Sequence, residues 1–109
     1  LRELVELSDI VIESSRPRLE SLLGEGAHNV LEEKVRVVVT PFGLGEARPW
    51  QGFEDLLVMA ESGLLHLGGY VDSGPIAAAG GQSRFGAGIF GAVAALCGLL
   101  RKEAGGGGS

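Results

Sequence analysis

Val35-Arg36-Val37-Val38-Val39-Thr40-Pro41-Phe42-Gly43-Leu44-Gly45 is the stretch whose reading decides the fold. β-Branched side chains are stiff and fit a pleated, packed surface. After Arg36 the run does not alternate apolar with polar, which is how a strand covered on both faces reads. It therefore belongs inside a parallel sheet. Pro41 ends it, because proline cannot donate to a ladder. Gly43-Leu44-Gly45 gives a flexible exit from the C-terminal end of the strand, the edge where open α/β sheets bind ligands.

Working outward from that strand, Ile10-Val11-Ile12 is a second short apolar run of strand type, and Glu13-Ser14-Ser15-Arg16-Pro17 leaves it. Before it, Leu1-Arg2-Glu3-Leu4-Val5-Glu6-Leu7 carries apolar residues at i, i+3 and i+4, the end of an amphipathic helix broken by Ser8-Asp9. Between the two strands, residues 18–23 read as a short helix stopped by Gly24 and Gly26, and Asn29 is a candidate cap for a turn running through Glu33. Strand, helix and strand in this order predict a parallel pair joined by a right-handed crossover.

After the valine strand and its loop, residues 53–62 read as a helix whose apolar positions 53, 56, 57 and 60 share a face. Gly63 does not interrupt the pattern, which Leu64 and Leu65 carry on to Gly68-Gly69. Residues 70–81 form a loop of glycine, proline and alanine. Residues 85–100 are sixteen without a charge, flanked by Arg84 and by Arg101-Lys102. That is shorter than the ~20 residues a bilayer span needs, so a buried helix is expected and no membrane partner. Its small residues (Ala87, Gly91, Ala94, Ala95 and Gly98) predict close packing on another helix. The last five residues, 105–109, are glycine-rich and expected to be mobile.

Composition narrows the classes. One hundred and nine residues suffice for one small core, and 45% hydrophobic with 21% charged residues is ordinary for a globular chain. A net charge of -5 supplies no basic patch and excludes nucleic acid as the expected partner. Glycine is abundant, 19 residues, and gathers after Phe42, so that half needs tight turns. A single cysteine, Cys97, leaves no internal disulfide and fits a reducing, cytoplasmic setting. In mid-helix it reads as a buried packing residue, not a nucleophile. His28 and His66 have no second ligand at zinc spacing. The chain opens directly on helical pattern, without Met, as if cut from something longer.

Two places carry candidate chemistry. Ser14-Ser15-Arg16 follows a strand, offers hydroxyls, and brings a guanidinium suited to phosphate or carboxylate; the alternative is a solvated turn before Pro17. Gly43-Leu44-Gly45 is too short for a phosphate-binding fingerprint, since no helix-opening glycine pair follows.

Taken in order, these blocks resemble the family III CoA-transferases, the group of formyl-CoA transferase, carnitine CoA-transferase and alpha-methylacyl-CoA racemase. Ser8 to Pro17 resembles the family's A-D-V-x-I/V-E-N-F/Y-R-P, and Val37 to Gly43 its V/I-x-I-S/T-x-F/Y-G. Gly52 to Gly63 is similar to G-x-D-x-x-x-Q-A-x-S-G, and Gly88 to Arg101 to A-G-L-x-A-A-x-A-x-L-A-A-L-x-x-R. Glu103 to Ser109 keeps register with E-x-T-G-x-G-Q, which favours a native tail. The resemblance covers almost the whole chain.

The resemblance implies an interior segment, residues 1–104, of a larger Rossmann-like domain. Its fold is α/β, a partial parallel sheet with flanking helices followed by a helical hairpin. It also implies a homodimer of interlocked subunits, with acyl-CoA and a carboxylic acid as substrates and coenzyme A as the group transferred. In the family's transferases an aspartate attacks the acyl-CoA, giving mixed anhydrides and an aspartyl-CoA thioester in turn. That aspartate lies four residues before the A-G-L glycine, so counting back from Gly88 gives Arg84. Arginine cannot act as that nucleophile; Glu54 or Asp55 would be the substitute carboxylate. The racemases move a proton with a histidine and an aspartate. Their histidine falls where this chain has Phe53-Glu54 and one extra residue. Ser14, Ser15 and Arg16 match the family's N-F-R along CoA, while a further family arginine falls at Leu22.

Three readings stay open: an acyl-CoA-handling transferase, a non-catalytic CoA-binding or assembly module, and a small membrane-associated protein built on residues 85–100.

Overall fold

The computed structural model describes residues 1–14, 19–44 and 54–105. They fall into two compact units. The first joins Leu1–Thr40 to Phe90–Ser109, and the second is Pro41–Ile89.

In the first unit, β1 (Ile10–Ser14) and β2 (Val35–Val39) form a two-stranded parallel sheet, in register from Ile10 opposite Val35 to Ser14 opposite Val39. The expected parallel α/β arrangement is therefore present. β1 runs two residues further than the apolar run suggested, through Glu13 and Ser14, because the ladder to β2 continues past the last isoleucine. Three short helices belong to this unit: α1 (Arg2–Leu7), α2 (Leu19–Leu23) and α3 (Ala27–Glu32). Val5, Leu23, Ala27 and Leu31 make its core, with Val11, Leu19 and Val30 packed against it. Of the α1 stripe only Val5 is buried, while Leu1, Leu4 and Leu7 stand exposed.

Asn29 does not cap a turn. It lies inside α3, whose N-cap is Gly26 at φ 76°, a left-handed conformation that glycine adopts at little cost. Lys34 Nζ donates to Glu6 O at 2.7 Å, tying the entry of β2 to α1.

The C-terminal helix α5 (Gln82–Glu103) has 22 residues, longer than its uncharged core, and is long and apolar enough to cross a membrane by length and composition. Within the first unit it lies on β2. A Cβ on Gly91 would touch Val39 Cγ2 at 3.6 Å and Val37 Cγ1 at 3.8 Å, and one on Gly98 would meet Val35. The small residues thus admit a sheet, not the second helix that their spacing suggested. The helix is not the buried one expected either, since only Ala95 is buried and Phe90, Val93, Leu96 and Leu100 are exposed. Cys97 is likewise exposed. Two residues beyond Ala95 it is turned about 200° around the axis, away from the sheet.

In the second unit, α4 (Asp55–Glu61) precedes a 3-10 turn, Leu64–Leu67. Gly63, at φ 77°, does separate the two, so the helical pattern does not run through. The buried residue of α4 is Met59, 2% exposed; Leu56, Leu57 and Ala60 are exposed, and Phe53 lies outside the described residues. Residues 68–81 form the expected loop. It is closed by Ile76 N–H donating to Gly68 O at 3.4 Å, and by a turn in which Ser73 N–H donates to Tyr70 O at 3.0 Å.

Candidate functional site

The first candidate region is the C-terminal end of β1. Side chains alternate along a strand, so Ser14 shares a face with Ile10 and Ile12, and through the register with Val35, Val37 and Val39. It is exposed at the end of its strand. Ser15 and Arg16, the other two candidate ligands, lie outside the described residues.

Glu13 points to the opposite face. Its Oε2 accepts from the Leu19 N–H at 3.2 Å, and its Oε1 from Arg36 Nε at 2.8 Å. Arg36 also donates from Nη1 to Glu20 Oε1 at 2.6 Å. One carboxylate thus grips the first residue of α2 and the neighbouring strand, fixing both ends of the connection that holds Ser15 and Arg16. Burial alone would lower the Arg36 pKa. Hydrogen bonds from Glu20 and Glu13, and their charges, outweigh it and hold the guanidinium above its ordinary value.

The sequence reading missed this triad. Arg36 stood out only as the one polar residue in a valine run. Its partnership with Glu13 needs the parallel register, which sets the two on one face of adjacent strands.

The second candidate region opens α5. Arg84 sits in its first turn, its N–H donating to Gly81 O at 3.0 Å, and its side chain is exposed. The residue before it, Ser83, donates both its backbone N–H, at 3.0 Å, and its hydroxyl to Asp55 Oδ1. Asp55 is the first residue of α4. One carboxylate therefore serves the starts of two helices, where the backbone N–H groups lack helical partners and the dipole favours negative charge. Of the two carboxylates weighed as substitutes, Asp55 is the one brought beside position 84. Glu54 is the exposed N-cap residue of α4 and makes no side-chain cap bond.

Next to this turn lies a cleft of about 250 Å³ lined by Met59, Leu64, Leu67, Gly68, Ile76, Ala78 and Gln82. A wider one of about 470 Å³ adjoins it through Gly68, Ile76 and Ala78. No three His, Cys, Asp or Glu residues gather at metal-binding spacing among the described residues. His28 instead pairs with Glu32 on one face of α3, Nε2 to Oε1 at 2.9 Å.

The chain is similar, along residues 1–109, to the model of one protein family, CoA-transferase family III. No curated protein matches it.

Proposed function

This chain belongs to CoA-transferase family III, and from that premise we propose that it binds acyl-CoA thioesters and serves the transfer of coenzyme A between carboxylic acids. The observation that carries the reading is the family match along the whole chain. Ser14, Ser15 and Arg16 are the CoA contacts: hydroxyls and a guanidinium at the C-terminal end of a parallel strand, the edge that offers donors to phosphate. The hydrogen bond from Leu19 N–H to Glu13 supports this assignment, because it ties the end of β1 to the first residue of α2.

Position 84 forms no acyl or aspartyl-CoA adduct, because a guanidinium stays protonated and has no nucleophilic lone pair at neutral pH. Arg84 instead pairs with a carboxylate or phosphate of the substrates. If a carboxylate of this segment takes the nucleophile's part, it is Asp55, next to Ser83. The arginine favours a second reading, a CoA-binding module without covalent chemistry of its own. The same proposal includes a homodimer in the cytoplasm and no membrane partner. The seating of Gly91 and Gly98 on β2 supports the latter, because it assigns one side of α5 to a sheet.

The test is to incubate the protein with an acyl-CoA, trap with hydroxylamine or borohydride, and map modified residues by mass spectrometry. The expected result is bound CoA with residue 84 unmodified. An adduct on Asp55 would establish covalent catalysis there and reject the non-catalytic module. Failure to bind any CoA compound overturns the proposal.

A further inference from the structure

We draw no further inference here: the strongest candidate, the exposed apolar face that Phe90, Val93, Leu96 and Leu100 form on the side of α5 turned from β2, carries nothing because nothing in the structure shows what covers it.

Discussion

Gly98 of α5 and Val35 of β2 compete for one packing space: a Cβ on Gly98 would lie 2.5 Å from Val35 Cγ1. Val35 is 3% exposed and cannot swing aside. Gly98→Ala therefore gains about 1 kcal/mol of helix propensity and loses about 1–3 kcal/mol to overpacking. Gly88, in the same helix, would place its Cβ in open space, and Gly88→Ala gains only. Denaturant midpoints should fall for Gly98→Ala and rise for Gly88→Ala. Equal shifts would mean that α5 does not rest on β2 at Val35.

Arg36 should matter more to the first unit than an ordinary surface arginine. Its partner Glu13 has a side chain only 10% exposed. Replacing Arg36 by Met removes the charge that compensates that carboxylate, at a cost of about 2 kcal/mol. The double variant Arg36→Met, Glu13→Gln should recover part of the loss, because a neutral amide needs no counter-charge. Urea unfolding of the four proteins in the cycle measures the coupling. A coupling near zero would mean that solvent already screens the pair.

Asp55 should be worth more than Ser83. Asp55→Ala strips the first turn of α5 of both of the hydrogen bonds that Asp55 accepts, costing about 1–2 kcal/mol as a lost cap. Ser83→Ala keeps the backbone bond and loses only the hydroxyl, about 1 kcal/mol. Thermal melts that rank them in the opposite order would argue that the hydroxyl, not the cap, holds the two helices' starts together.

Cys97 should react in the native protein. It is exposed on α5, so a maleimide added without denaturant should label it to completion within minutes. Labelling that appears only after unfolding would mean that this side of α5 is covered in solution.

Local regularities were legible without coordinates. The valine run, the proline after it and the Ile10–Ile12 run specified two strands and their parallel pairing, because covered parallel strands read as continuous apolar runs. Glycines at positions 24 and 26 marked the break that ends α2, where both have positive φ values. A helix over residues 85–100 followed from length and composition, and the structure extends it to Gln82–Glu103. Its burial did not. With apolar residues on every side, the sequence of α5 has no polar stripe to say which face turns inward, and only the sheet beneath it selects Gly91, Ala95 and Gly98.

The sequence by itself determined the element types, the parallel pairing of β1 with β2, and the family to which the chain belongs. These depend on side-chain shape and spacing within one segment, or on blocks in a set order. The tertiary structure alone decided that Glu13 holds both Arg36 and the start of α2, that Asp55 reaches across 28 residues to Ser83, and that Gly68 meets the Ile76 backbone where a Cβ would collide. Each of these joins segments distant in the chain, and the partner of a charge or a glycine is set by strand register and loop closure, which no local periodicity encodes.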